Sequence, residues 1–202
     1  MEALLARLSQ FPITETEARL RAHFLSLKLR SAQLKRAPAV EYFEWTLEQR
    51  RVFMQAPSTA CFCKTIIMLN SYYNEAYAEE PGYFKYVAVV IQYEDKLNAE
   101  KVMKFMKKLQ NERCRFVAVS NKHFHFHLAE EEDAKRLTGY SYNAITPVLM
   151  RTPLPVLVTA KVLALQPAYI WMGGGELDLK LGISVAEFLQ VTQAHLVDLS
   201  YD

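Results

Sequence analysis

The chain has 202 residues, of which 51% are hydrophobic, and its formal net charge is +2 at pH 7. This size predicts one domain with an appendage, and so small a net charge does not by itself indicate a nucleic-acid-binding protein. No window approaches the ~18 uncharged apolar residues of a membrane span, so we expect no membrane contact. The first residues resemble neither a secretory signal nor a transit peptide, and three cysteines fit a reducing compartment. We therefore expect a cytoplasmic protein.

Residues 1–11 are predicted to form a short amphipathic helix that ends at Pro12. Thr14 followed by Glu17 matches a capping box, so a second helix is expected from about residue 15 to about residue 35. Its polar positions are basic, with no acidic residue from position 19 to position 36. These side chains form either an ordinary solvated face or a strip along a nucleic-acid backbone. The candidate contacts are Arg19, Lys28, Arg30, Lys35 and Arg36.

The middle of the chain predicts strands and helices in irregular alternation. Thr46 and Gln49 cap a short helix that ends near residue 55, and strands follow at residues 60–69 and 83–93. The second strand is almost continuously apolar and is therefore expected to be central. Asn98 is expected to cap a helix through about residue 109, with strands at residues 114–120 and 122–128 after it. Gly139 suits the end of a helix over residues 130–137.

The C-terminal part contains a glycine-rich hairpin. After a loop through Pro147 and a strand at residues 155–159, an apolar run leads into residues 173–175, which are three of only six glycines. A helix at residues 185–193 and a strand at residues 195–199 are expected to follow. The glycines either form an ordinary turn or present bare N–H groups to a phosphate or a carbonyl oxygen. The complete pattern predicts a mixed α/β fold with a mixed sheet.

Lys64 is the first candidate for chemistry. Period-two alternation places it on one strand face with Phe62, Ile66 and Met68. Its amine either reaches water at the end of the strand or lies in a cleft.

The sequence HFHFH at residues 123–127 is a second candidate, because it places three imidazoles on one strand face. Two such side chains can share a metal, but no Cys or carboxylate is spaced to complete the site. We expect a solvated histidine face, no metal and no cofactor. A polar, aromatic loop over residues 137–147 is the third candidate, because tyrosines can stack on a base.

Four stretches of the sequence form an ordered set of motifs. They are Lys64-Thr65, TGYSYNAITP ending at Pro147, PLPVLV at residues 153–158 and GGGELDLKLGISVAEFL at residues 173–189. In this order they resemble the YbaK family, the prolyl-tRNA-synthetase-associated editing domains and their free-standing relatives. The resemblance implies a curved mixed sheet surrounded by helices over residues 46–202, with residues 1–45 as a basic helical extension. It also implies hydrolysis of mischarged aminoacyl-tRNA.

The resemblance also implies roles for individual residues. Lys64 matches the family's strand lysine, residues 143–147 match the loop that shapes the amino-acid pocket, and residues 173–175 match glycines near the terminal adenosine. Attack by water or a ribose hydroxyl implies catalysis by positioning and by backbone N–H groups, without a side-chain nucleophile. The implied catalytic residues are Lys64 and Gly174, and the implied substrate-binding residues are Thr65, Tyr140, Asn143, Ala144, Thr146, Pro147, Gly173 and Gly175.

Two positions depart from the bacterial pattern. Asn143 and Ala144 stand where bacterial members have two glycines, and Val148 and Leu149 stand where a glycine commonly follows the proline. Side chains there can narrow the pocket or block an N–H group.

Two functions therefore stay open. The first is a trans-editing deacylase for Ala-, Cys- or Ser-charged tRNA, related to proline tRNA, with residues 15–36 binding the tRNA. The second is a catalytically silent adaptor of the same fold that binds tRNA, a synthetase or a multi-synthetase complex.

Overall fold

The computed structural model describes residues 12–114 and 117–201 of the chain. The described helices are α1 (Glu15–Ser26), α2 (Glu41–Glu44), α3 (Leu47–Met54), α4 (Ala99–Arg113), α5 (Glu131–Thr138) and α6 (Val185–Thr192). The described strands are β1 (Gln33–Arg36), β2 (Cys63–Asn70), β3 (Tyr86–Gln92), β4 (Phe126–Leu128), β5 (Val156–Thr159), β6 (Tyr169–Gly173), β7 (Leu179–Ser184) and β8 (His195–Val197). The expected mixed α/β class is confirmed.

The described strands form two sheets. A five-stranded sheet has the order β4-β2-β3-β5-β8, and a three-stranded sheet has the order β1-β7-β6. The larger sheet is mixed, because β2 runs antiparallel to β3 and β4, whereas β3, β5 and β8 run parallel to one another. The smaller sheet is antiparallel, with the predicted glycine hairpin joining β6 to β7.

Strand β3 is central, as its apolar sequence predicted. Ala88 and Val90 belong to a core cluster with residues of β6 and β7, whereas Val87 and Val89 pack with the apolar side of α4. Both faces of the strand are therefore buried, which explains why its hydrophobic run is continuous rather than alternating.

The helix expected through residue 35 is wrong in its second half. It ends at Ser26, and Lys28 adopts a left-handed backbone with a φ of 55°. Residues 33–36 instead form β1, which pairs with β7 in register Lys35 to Lys180. Cross-strand pairing and burial override the local helical spacing here. Whether residues 1–45 form a separate extension stays a prediction, and the helix predicted over residues 1–11 lies outside the described residues.

Two predicted strands are also corrected. Residues 117–120 form no strand, while residues 115 and 116 lie outside the described part. The strand expected over residues 122–128 shrinks to β4, because a 3-10 turn occupies Asn121–His123. The buried Asn70 side chain holds this turn, donating to the carbonyl of His123 at 2.8 Å and accepting from the N–H of His125 at 2.8 Å.

The predicted helix caps are confirmed. Thr46 and Gln49 form a reciprocal capping box, the Asn98 side chain accepts from two N–H groups of α4, and Gly139 ends α5 with a φ of 81°. Within residues 12–114 and 117–201, no helix combines the length and the apolar character that crossing a bilayer requires.

Candidate functional site

A cavity of about 460 Å³ runs along one edge of β2. Strand β4 pairs with β2 only from Met68 to Asn70, so residues 63–66 have no partner strand on that edge in the described part of the chain. The chain leaves β4 and enters α5, whose first turn forms the opposite wall. The remaining walls come from the loop at residues 142–145 and from Gly173.

Lys64 and Thr65 both line this cavity. Among the described residues, the Lys64 amine has no hydrogen bond or ion pair and lies 5.8 Å from the ring centroid of Tyr93. The buried hydroxyl oxygen of Thr65 also has no hydrogen-bond partner there. The Lys64 amine therefore keeps hydrogen-bonding capacity for a ligand. The Thr65 hydroxyl is an exception to the usual pairing of buried polar atoms, but it is closed off from the cavity.

The predicted pocket loop contributes mainly through Asn143. This residue is exposed, lines the cavity and has a φ of 62°, a left-handed conformation that asparagine tolerates better than other non-glycine residues. Ala144, Thr146 and Pro147 are buried instead. Their side chains hold the loop in place, and their proposed substrate contacts stay predictions.

Tyr140 is likewise buried, and its hydroxyl donates to the carbonyls of Val148 at 2.9 Å and Leu149 at 3.2 Å. Burial raises the pKa of this phenol. The Tyr140 side chain therefore links the beginning and the end of the loop by hydrogen bonds. Val148 and Leu149 do not line the cavity. Leu149, two residues after Pro147, has a φ of 55°, which is a left-handed backbone conformation.

Gly173 is required by a close backbone contact. A Cβ at this position would lie 2.6 Å from the carbonyl oxygen of Ile145 and 2.7 Å from that of Ala144. No side chain fits such a space. The missing Cβ therefore lets the pocket loop lie directly on β6 and brings Asn143 beside Gly173 at the cavity.

Of the two alternatives for the glycine turn, bare N–H groups are wrong for two of its members, which form an ordinary turn. The N–H of Gly174 donates to the carbonyl of Leu179 at 2.9 Å, and the N–H of Gly175 donates to that of Ala144 at 2.8 Å. Gly174 is also buried. Successive N–H groups of a strand point to opposite edges, so the Gly173 N–H points away from β7. That edge is where Trp171 bridges Phe62, next to the cavity.

Sequence reasoning missed three polar residues that line the cavity, Tyr93, Glu130 and Glu131, whereas Tyr142 belongs to the aromatic loop that it singled out. The two glutamates lie at the N-terminus of α5, where the positive end of the helix dipole stabilises carboxylates. Because this structural role is common, it gave no reason to assign them to a binding site. The position of Tyr93, one residue beyond β3, depends on strand register, which no local pattern discloses.

The candidate tRNA-binding residues divide into two groups. Arg19, Lys28 and Arg30 are exposed, and their tRNA contacts stay predictions. Lys35 donates to the carbonyl of Phe53 at 2.7 Å, and burial lowers its pKa. Arg36 forms ion pairs with three carboxylates, those of Glu17, Glu176 and Asp178. The last two cations therefore hold the fold together.

The histidines do not share one strand face as expected. His123 lies in a 3-10 turn and packs on Tyr77, whereas the rings of His125 and His127 lie 6.0 Å apart. In residues 12–114 and 117–201, no group of three or more His, Cys, Asp or Glu side chains is placed to hold a metal ion.

Comparison with known proteins shows the fold alone. The sequence matches no protein-family model and no curated protein sequence. The structure is similar to that of a proposed trans-editing enzyme for prolyl tRNA synthetase, with a TM-score of 0.70 and 15% identity over 95% of this chain and 100% of that one. It is also similar to a scaffold for computational epitope grafting (TM-score 0.68, 15% identity, 94% and 99% covered). A hypothetical protein gives a TM-score of 0.63 at 19% identity, with 91% and 99% covered. These similarities agree with the expected fold, a mixed sheet surrounded by helices.

Proposed function

We propose that this protein is a trans-editing hydrolase that deacylates mischarged aminoacyl-tRNA. One observation carries the proposal: a single cavity joins Lys64, Asn143 and Gly173, which come from three separate motifs of the sequence. The cavity volume of about 460 Å³ lies in the range of small-molecule sites. The similarity to a proposed trans-editing enzyme supports the same reaction class.

The cavity carries complementary groups for the charged end of a tRNA. The Lys64 ammonium is suited to a phosphate or carbonyl oxygen of the terminal nucleotide. The carboxylates of Glu130 and Glu131 are suited to the α-ammonium of the amino acid. Tyr93 and Tyr142 offer aromatic rings on which an adenine can stack.

Catalysis in this arrangement requires positioning rather than a side-chain nucleophile. Water, positioned by the adjacent ribose hydroxyl, attacks the ester carbonyl, and the carbonyl oxygen gains negative charge. The ester C–O bond to the ribose then breaks, and the leaving ribose oxygen takes up the proton that the water loses. The N–H of Gly173 takes the role first assigned to Gly174, because the Gly174 N–H is already bonded. Lys64, which lies on β2, stabilises the same developing charge.

The test is release of amino acid from tRNA charged with alanine, cysteine or serine. We expect Lys64→Ala to lower the rate constant by roughly 100-fold, the order of loss seen when one charge-stabilising donor is removed. Lys104→Ala on the exposed side of α4 is the matched control and keeps the wild-type rate. Absence of release from every charged tRNA by the wild-type protein would overturn the proposal.

The bonded amides of Gly174 and Gly175 favour a second candidate, an adaptor that binds tRNA or a synthetase without turnover. Tight binding of a non-hydrolysable aminoacyl-tRNA analogue, combined with no release from any ester substrate, would select this candidate. The same binding with turnover selects the hydrolase.

A further inference from the structure

Two buried cations lie behind the glycine hairpin. Lys180 on β7 and Arg50 on α3 are 5% and 8% exposed, respectively. Both lie against the same two rings: the Lys180 amine is 4.7 Å from the ring centroid of Tyr42 and 4.5 Å from that of Phe43. The guanidinium carbon of Arg50 lies 5.0 Å and 5.9 Å from the same centroids.

Among the described residues, neither cation has an ion-pair partner. In the part of the chain that the structure describes, Lys180 donates to the carbonyl of Leu177 at 2.8 Å and Arg50 donates to that of Phe43 at 3.0 Å, and no carboxylate forms an ion pair with either. The Arg50 Nε is buried without a hydrogen-bond partner. Lys35, directly opposite Lys180 on β1, adds a third cation that donates to a backbone carbonyl.

Such a cluster is electrostatically incomplete. Burying a charge is costly unless it is paired, and like charges at short range add to the cost. Burial and, after it, the positive charge of Arg50 together lower the pKa of Lys180 to about 8, although Asp178 opposes the change. The fold therefore retains positive charge here at a cost, and a bound anion would offset that cost.

The cluster opens onto a small pocket that adjoins the large cavity. Lys180, Tyr42 and Trp171 line this pocket, and four residues line both spaces: Cys63, Tyr93, Asn143 and Gly173. Its volume of about 20 Å³ compares with about 10–15 Å³ for a single water on the same scale. The pocket therefore admits about one water-sized polar group, such as a carboxylate oxygen, with the rest of the ligand in the large cavity.

We propose that this pocket is a carboxylate-binding subsite, in which Lys180 holds the anionic end of a small ligand that enters through the large cavity. Arg50 does not line the pocket, but its guanidinium lies against the same two rings and adds positive potential behind Lys180. The aromatic walls exclude water and strengthen the attraction between the cations and the carboxylate. The inference goes beyond the proposed hydrolase and stands without it, because binding of a free carboxylate requires no turnover.

The carboxylate can come from two sources, which three small ligands distinguish. L-Alanine carries a free α-carboxylate, as a released amino acid does. Aspartic acid α-amide carries only a side-chain carboxylate, as an esterified acidic amino acid does. L-Alaninamide carries none and is the control for the remaining contacts.

Binding is measured on the full-length protein by calorimetry and by amide chemical shifts. We expect L-alanine, aspartic acid α-amide or both to bind roughly tenfold or more tightly than L-alaninamide. This is the difference in affinity that one hydrogen bond to a charged group provides. Lys180→Met should remove this preference, while Lys104→Met should leave it intact. Equal affinities of the wild-type protein for all three ligands would overturn the proposal.

Lys180→Gln separates binding from support of the fold. The glutamine amide can still donate to the Leu177 carbonyl but carries no charge. We expect it to fold and to lose the carboxylate preference, whereas an unchanged preference in this variant would assign Lys180 a structural role only and refute the subsite.

Discussion

The β2 edge and the glycine hairpin were predicted to form one site, yet they use their polar groups in opposite ways. On the β2 edge, the Lys64 amine has no hydrogen bond or ion pair among the described residues, and the side chain lines a cavity. In the hairpin, the N–H groups of Gly174 and Gly175 are bonded within the protein. Unused polar groups at a cavity indicate a ligand, whereas glycines alone indicate only that backbones pass close together.

The largest expected effect comes from adding one methyl group to the hairpin. Gly173→Ala should destabilise the protein by about 3 kcal/mol, because its Cβ would overlap two backbone carbonyls that cannot move aside as a side chain can. Gly174→Ala should cost less, since its nearest contacts are at 3.0 Å. Urea unfolding of both variants checks the order, and a larger loss for Gly174→Ala would contradict the packing explanation.

The next effect concerns the buried ammonium of Lys180 and is pH-dependent. Its pKa of about 8 in the folded protein lies below the ordinary value of 10.5 that the unfolded chain retains. Between these pH values the unfolded chain binds more protons, so the wild-type stability rises with pH there, and below pH 8 the full cost of the charge is present.

The Lys180→Met variant lacks this buried ammonium. Its gain in stability over the wild-type protein should be about 3 kcal/mol larger at pH 7 than at pH 10.5. Thermal or urea unfolding at both pH values measures the difference. Taking the difference between the two proteins removes the titration of other lysines and tyrosines. An equal gain at both pH values would show that Lys180 is not perturbed by burial.

A smaller loss is expected for the ion-pair network that holds the hairpin tip. Arg36→Met leaves the carboxylates of Glu17, Glu176 and Asp178 without their shared partner, which should cost about 2 kcal/mol at pH 7. Arg136→Met, in an exposed pair with Asp133, is the control and should cost less than about 1 kcal/mol.

The smallest effect on stability should come from the cavity lysine. Lys64→Ala removes a side chain without an internal hydrogen bond or ion pair, so the free energy of unfolding should change by no more than about 0.5 kcal/mol. A loss of activity with unchanged stability would separate the β2 edge from the hairpin. A loss above about 2 kcal/mol would instead give Lys64 a structural role.

Much of the local structure could be predicted. The caps at Thr46, Asn98 and Gly139 depend on hydrogen bonds within a few residues, and the central position of β3 follows from its uniform apolar composition. The glycine hairpin was also predicted from the sequence. Lys64 and Asn143 were both expected at one pocket, and both line the same cavity. The motifs that carry these residues lie far apart in the chain, so their meeting was expected from resemblance rather than from spacing.

The sequence by itself determined the class of fold and most helix ends, because these depend on short-range hydrogen bonding and hydrophobic periodicity. Only the tertiary structure decided which groups are free. Whether an N–H or an amine is bonded depends on the register of distant strands, which placed Leu179 opposite Gly174 and left Lys64 beside an unpaired edge. The burial of Lys180 and Arg50 on the same rings likewise arises from the packing of β7 against α2 and α3, which no local pattern contains.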